Sequence, residues 1–187
     1  PLYTLAKKGG DCFAEGTLLL RDDYELVPVE CIQVGECIWG RNGWTRVEAT
    51  VAKGRLALTS VLLSTQGDKT LWLTDGHKVY VVPEGDPDVA IPERIQVRDL
   101  VPGMVLLSPH TRPMLVYNND VPRLTMGGEV GMTAGRPVVI GGPVHGTVLA
   151  VNHGQSWASC WDIQTEDHYV YLPAADVTVS NCDDMAM

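Results

Sequence analysis

Residues 29–38 read "VECIQVGECI", and residues 97–106 read "VRDLVPGMVL". Both fit V-x-x-[IL]-x-x-G-x-x-[IL], offset by 68 residues. Each reads as one short helical turn, a corner at Gly35 or Gly103, and then a strand. A unit of this kind that occurs twice predicts a β-domain built from two related halves.

The chain around the two units has the same character. Its apolar runs are short and rich in β-branched and aromatic residues: "TLLL" (17–20), "RVEATVA" (46–52), "LTSVLLST" (58–65), "TLWL" (70–73), "KVYVV" (78–82), "PVVI" (137–140), "GTVLAV" (146–151), "HYVYL" (168–172) and "VTV" (177–179). Gly, Pro, Asn and Asp punctuate most of them, and no window sustains a helical period for four turns. The fold class expected is all-β. Residues 110–146 hold Gly and Pro throughout and interrupt the even spacing, so they read as a long loop or β-ribbon insertion. Residues 83–92, "PEGDPDVAIP", read as a shorter loop.

At 187 residues the chain is long enough for one domain with a real core. A hydrophobic share of 45% with 20% charged residues fits a globular protein rather than a disordered one. The net charge of −9 argues against nucleic acid as a partner, because phosphate binding needs a basic face. No apolar run is long enough to span a membrane and no signal-like segment opens the sequence, so the expectation is a cytoplasmic monomer without a membrane partner. The five cysteines (12, 31, 37, 160, 182) form no CxxC pair, which argues against a disulfide framework or a four-cysteine zinc site. Cys31, Cys37 and Cys160 have apolar flanks and are expected to be small buried hydrophobes. Cys12 and Cys182 have polar or flexible flanks and need another account.

That account is chemical. A thiol can attack the carbonyl of its own preceding peptide bond, turning the amide into a thioester if the departing nitrogen is protonated. At Cys12 the bond at stake is Asp11–Cys12. An Asn side chain can attack its own backbone carbonyl, forming a succinimide and cutting the chain after itself; here that is Asn181, followed by Cys182. A Cys at one edge and Asn-Cys at the other are the residue types needed to remove 12–181 and join 11 to 182. "LTDGHKVYVV" (73–82) offers Thr74 and His77 as an oxyanion donor and a proton donor. "CWDIQTEDHYVYL" (160–172) offers Asp162 and His168 just before the second edge. Each stretch alone also reads as an ordinary turn or a structural histidine.

The order of these stretches resembles an intein, the self-excising Hint-fold element shared with hedgehog autoprocessing domains. "CFAEGTLLL" is similar to the first splicing block, "LTDGHKVYV" to the T-x-x-H block, "CWDIQTEDHYVYL" to the block with an aromatic-Asp-apolar start and a later His, and "VTVSNC" to the terminal block. The resemblance implies a pseudo-two-fold, horseshoe-like β-domain over 12–181, a mini-intein without an endonuclease domain, between flanks 1–11 and 182–187. It implies self-processing in a single turnover with no cofactor and no metal, its only partners being its own flanks. By resemblance, Cys12 makes the N–S acyl shift, Thr74 and His77 activate the Asp11–Cys12 bond, and Asp162 orients or deprotonates groups at transesterification. Cys182 accepts the acyl group, and His168 assists cyclisation of Asn181. Two departures stand out. Ser180 occupies the penultimate position, where most inteins carry His, and the spacing from Asp162 to His168 is one residue short, leaving His153 as a distant substitute. Joining the flanks gives "LAKKGGDCDDMAM", which resembles the nucleophile segment of transglutaminase-like cysteine proteases. A Hint-type domain that only cleaves its flanks, and a plain β-rich binding module, are the alternatives.

Overall fold

A computed structural model describes residues 12–65, 67–83, 92–109, 111–113, 129–133, 136–140 and 146–181. Among them every element is a strand except two single 3₁₀ turns, Val29–Cys31 and Val97–Asp99. The all-β expectation holds.

Both copies of the sequence repeat fold alike. In the first, the turn ends at Ile32, whose N–H closes on the Val29 carbonyl, and Gly35 turns the corner at φ 93° before strand β4 (Cys37–Trp39). In the second, Leu100 closes on Val97, and Gly103 turns at φ 96° before β9 (Val105–Leu106). Positive φ is open to Gly without a Cβ penalty, which is why both corners carry it. Each corner docks on a long strand in the same way. The Gly35 N–H donates to the Val47 carbonyl and the Val47 N–H to the Glu36 carbonyl; Gly103 and Met104 do the same with Val148. The two halves are therefore related units.

Those long strands are β5 (Trp44–Thr65) and β13 (Gly146–Thr165), paired antiparallel along most of their length. Straight, 22 residues would reach about 70 Å at ~3.3 Å per residue, well beyond the width of a compact domain of this size. The ladder is instead broken by register shifts at Val148/Ala150, Asn152/Ser156, Cys160/Trp161 and Gln164/Thr165. Each such irregularity bends a strand and raises its twist. Two separate runs, 46–52 and 58–65, were expected where β5 is continuous, because Lys53-Gly54-Arg55 reads as a break. Gly54 does take φ 80°, but it stays in the ladder opposite Cys160. Gly154, at φ 63°, lies within β13 at the register shift between Asn152 and Ser156.

Four further antiparallel pairings position the candidate site. Strand β1 (Phe13–Ala14) lies between β6 (Gly67–Thr74) and β13. Strand β15 (Val177–Ser180) lies between β14 (Tyr169–Leu172) and β7 (Lys78–Val82). The strand order places β7 and β13 on either side of β9, so the two groups belong to one sheet. Phe13, Leu63, Leu73, Val79, Ile163, Val177 and Val179 are fully buried in the shared core. Burying side chains of this kind is worth about 1.5–3 kcal/mol each, so the core holds both edges in place.

Within 110–146, the described parts are β10 (Thr111–Pro113), β11 (Glu129–Thr133) and β12 (Arg136–Ile140). They pair antiparallel in the order β10-β12-β11, as a sheet distinct from the main one. The loop at 83–92 lies largely outside the described residues.

The expectation of three buried structural cysteines needs correction. Cys160 is buried, but Cys37 is half-buried and Cys31 is exposed. A 3₁₀ turn repeats every three residues, so Val29 and Ile32 share the inward side and Cys31 is turned out. In β4, Ile38 faces in, which leaves Cys37 on the opposite face.

Candidate active site

Register explains the first edge. Phe13 stands opposite Leu73 on one side and Trp161 on the other. One residue outward, the antiparallel ladders bring Cys12 between Thr74 and Asp162, residues 62 and 150 positions away. The Cys12 N–H donates to Thr74 Oγ1 at 3.1 Å, and the Thr74 hydroxyl lies 3.4 Å from the Cys12 carbonyl. The Cys12 thiol donates to Asp162 Oδ1 at 2.7 Å. All three residues are buried. Burial, followed by the Asp162 charge and the hydrogen bond to it, holds the Cys12 thiol far above its ordinary range, while Lys53 acts in the opposite sense. Cys12 is therefore a protonated thiol whose proton points at a carboxyl oxygen. Such a thiol becomes a nucleophile by handing that proton to Asp162.

Thr74 and His77 flank a tight turn closed by the His77 N–H on the Thr74 carbonyl at 3.0 Å. His77 is fully buried, its ring edge-on to Phe13 with centroids 4.6 Å apart. Its Nε2 lies 2.9 Å from the Ser180 carbonyl. A carbonyl only accepts, so Nε2 carries the proton in that bond. His77 thus starts from the turn that serves Cys12 and reaches the backbone of the opposite edge.

At the second edge, Tyr169 pairs with Ser180, so His168 meets Asn181 one step further along. The Asn181 N–H donates to the His168 carbonyl at 3.1 Å. Asn181 Nδ2 donates to the Thr165 carbonyl at 3.2 Å and lies 3.4 Å from His168 Nδ1. The Thr165 carbonyl fixes which side-chain atom is nitrogen, since it can only accept. Asn181 Oδ1 is buried with no hydrogen-bond partner among the described residues. His168 takes the left-handed conformation, φ 68°, in a turn closed by its N–H on the Thr165 carbonyl. A non-Gly residue there costs about 1–3 kcal/mol and persists only when its surroundings hold it. Here the turn brings both the His168 carbonyl and its ring to Asn181.

Cys12, Thr74 and Asp162 are brought together, as are His168 and Asn181, and His77 contacts the Ser180 backbone between them. Asp11 and Cys182 lie outside the described residues. His153, the distant substitute, is not at Asn181: its Nδ1 is 2.8 Å from Asp75 Oδ1, which Thr59 also donates to. Partial burial works against the Asp75 carboxylate, but the bonds from Thr59 and His153 outweigh it and hold that group below its usual range. Two residues escaped the sequence reading. Lys53 Nζ lies 3.3 Å from Asp162 Oδ2, yet in the sequence it belongs to an apparent gap between strands. Thr165 acts at Asn181 through its backbone carbonyl, so its identity carries no signal. No cluster of three or more His, Cys, Asp or Glu able to hold a metal occurs among the described residues.

No family model and no curated protein matches the sequence. Solved structures do match. The fold is similar to the Ssp DnaB mini-intein variant M86 over 94% of this chain and 96% of that one, with a TM-score of 0.63 at 10% identity. It is similar to the gp41-1 intein over 91% and 99%, with a TM-score of 0.57 at 13% identity. A bacterial intein-like domain from Clostridium thermocellum matches over 91% and 99%, with a TM-score of 0.57 at 17% identity. Identities this low speak for the backbone alone and leave the chemistry to this chain's own side chains. What the likeness and the doubled β-unit establish together is the architecture: this chain has the Hint (hedgehog/intein) fold.

Proposed function

We propose that the chain splices itself, excising residues 12–181 and joining Asp11 to Cys182. The observation that carries this reading is the pairing of each edge residue with a proton acceptor: the Cys12 thiol against Asp162 and the Asn181 amide nitrogen against His168. A binding module has no need of either pair.

In the first step Asp162 takes the Cys12 proton and Sγ attacks the Asp11 carbonyl carbon. The carbon–nitrogen bond breaks, the nitrogen leaves as an amine after protonation, and a thioester remains. Thr74 holds that nitrogen, and His77 supplies its proton as an imidazolium, giving up the second ring proton on Nδ1 while Nε2 keeps its bond to the Ser180 carbonyl. The Cys182 thiol then gives up its proton and attacks the thioester, and the Cys12 sulfur leaves as a thiol after reprotonation. Asn181 Nδ2 next attacks its own carbonyl carbon, passing a proton to His168. The bond to Cys182 breaks, the Cys182 nitrogen is protonated, and a succinimide ends the excised domain. Finally the free Cys182 amine displaces its own sulfur from the acyl group, leaving an ordinary peptide bond. The flanks are the substrate, each chain acts once, and no cofactor takes part. The joined "GGDCDD" would form the nucleophile segment of a cysteine enzyme of the transglutaminase-like kind, with Cys182 as its thiol.

Intact-mass analysis of freshly made full-length chain tests the reading. Splicing yields a ligated peptide of 17 residues from the two flanks plus the excised domain. Separate flanks would mean a domain that only cleaves, and a stable intact chain under reducing conditions would sink both.

A further inference from the structure

We propose that Lys53 is a positioning residue for the first step, holding Asp162 as an oriented carboxylate against the Cys12 thiol. The inference rests on the splicing reading above and adds a residue that no splicing block supplies.

Its basis is a defect in the long ladder. Cys160 pairs with Gly54 and Trp161 with Ala52, so Lys53 is the extra residue with no partner across the strands. An extra residue of this kind re-aims its own side chain, and the left-handed Gly54 beside it, φ 80°, accommodates the irregularity. The Lys53 ammonium is thereby delivered to Asp162 Oδ2 at 3.3 Å, while Oδ1 of the same carboxyl takes the bond from Cys12 at 2.7 Å. One carboxyl group is thus clamped between a cation and the thiol it must deprotonate. Asp162 is 3% exposed and Lys53 28% exposed at the side chain, so the carboxylate is buried and the ammonium only partly so. A buried carboxylate without a counter-charge takes up a proton instead, and a protonated Asp162 cannot accept another from Cys12.

Among the described residues, Cys12, Cys160 and Lys53 are titratable groups that face Asp162. Cys12 comes from the chain entering β1, Cys160 from β13 itself, and Lys53 from β5. Burial, with the Asp162 charge, keeps Cys12 protonated well above its usual range. Burial likewise pushes the Cys160 thiol up to about 11. Neither thiol produces an acid limb near neutrality, so the carbon-13 titration read beside the rate decides whether that limb belongs to Asp162.

The test uses the full chain carrying Asn181→Ala, which stops the reaction before the second cleavage. Dithiothreitol-induced release of residues 1–11 is followed from about pH 5 to about pH 9 for Lys53, Lys53→Met and Lys53→Arg, beside a carbon-13 titration of the Asp162 carboxyl. Lys53→Met is expected to move the acid limb and the Asp162 titration upward together. A shift of about one pH unit slows release about tenfold below the limb and leaves the rate above it near that of Lys53. Lys53→Arg restores both. A Lys53→Met chain with an unmoved limb or an unmoved Asp162 titration overturns the proposal, as does a loss of rate that is uniform across pH. If the Asp162 titration moves but even the Lys53 chain releases no flank at any pH, the ion pair stands, the splicing reading falls, and the assigned role falls with it.

Discussion

Thr74→Val replaces a hydroxyl by a methyl of the same shape in a residue that is only 3% exposed. The change removes the acceptor of the Cys12 N–H, held at 3.1 Å, without opening a cavity. Leaving one buried donor unpaired costs about 1–3 kcal/mol, so stability should fall by about that much. The effect on rate comes from a second property of a hydroxyl, which can donate as well as accept. As Sγ adds to the Asp11 carbonyl, the Cys12 nitrogen pyramidalises and becomes an acceptor, and the Thr74 proton can turn onto it. That bond is stronger in the transition state than in the resting amide, which is the condition for catalysis. A loss of about 1–3 kcal/mol there corresponds to roughly 5- to 160-fold slower thioester formation. The assay is release of residues 1–11 by dithiothreitol in the Asn181→Ala chain, with thermal melting as a check of folding. Thr74→Ser keeps the hydroxyl and should keep most of the rate. A folded Thr74→Val chain that releases the flank within about twofold of its parent would refute the assignment, since even the lower end of the energy range predicts more.

Three other perturbations separate chemistry from scaffold. His168→Asn keeps a residue that tolerates positive φ while removing the imidazole, so the chain should fold and Asn181 cyclisation should slow by about 10²–10⁴-fold; an unchanged rate of C-terminal cleavage by mass spectrometry would exclude His168 as the base. Burial favours the protonated Cys12 thiol in the folded chain, so its contribution to stability is whole below the unfolded thiol's pKa, about 8.5, and is lost as pH rises above it toward the elevated folded value. In the Asn181→Ala background, urea midpoints should therefore fall more steeply on the alkaline side for chains with Cys12 than for Cys12→Ala, and parallel pH profiles would count against a buried, protonated thiol. Replacing about 115–140 by a short Gly-rich turn should preserve flank release, because β11 and β12 belong to a sheet distinct from the main one and changing the length of a connection costs only about 0.6 kcal/mol per doubling; loss of folding by circular dichroism would mean that the segment belongs to the core.

The legible part of this protein was the part written in local pattern. The repeat at 29–38 and 97–106 could be read because a helical turn, a glycine with positive φ and a short strand each leave a composition signal within ten residues. The strand "KVYVV" coincides with β7 for the same reason. What could not be read is what depends on pairing across the sheet. Nothing around residues 53–55 shows that β5 runs on through Gly54, because a glycine at a strand irregularity looks the same as a glycine at a turn. Lys53 stayed invisible as a consequence: its meeting with Asp162 is set by a register shift between strands over 100 residues apart. Cys31 was misread because apolar sequence neighbours do not say which side of a 3₁₀ turn a residue takes.

The same register argument bears on how the two proposed chemical events would share one small domain. Each event is assembled by extending a ladder one residue past its last pair: Phe13 against Leu73 and Trp161 at the first edge, Tyr169 against Ser180 at the second. A slip by one residue would turn every side chain to the other face and scatter both sets. The fully buried rows on either side make such a slip costly, so the hydrophobic pattern of the strands specifies the geometry of the candidate site as firmly as it specifies the core. Between the edges runs a short path of two hydrogen bonds joined by one turn. Thr74 meets Cys12, the turn closes His77 onto Thr74, and His77 holds the Ser180 carbonyl next to Asn181. Movement of the Cys12 nitrogen as it leaves its acyl group would reach, through one turn and one imidazole, the Ser180 carbonyl, one peptide before the Asn181 carbonyl under attack. That coupling requires the imidazole and not merely a filled core. A His77→Phe chain should keep the contact with Phe13 and remain folded, yet lose the order of the two cleavages, releasing its C-terminal flank without waiting for the first acyl transfer. Time-resolved mass spectra in which the two flanks still leave in their original order would show that the link through His77 carries no such information.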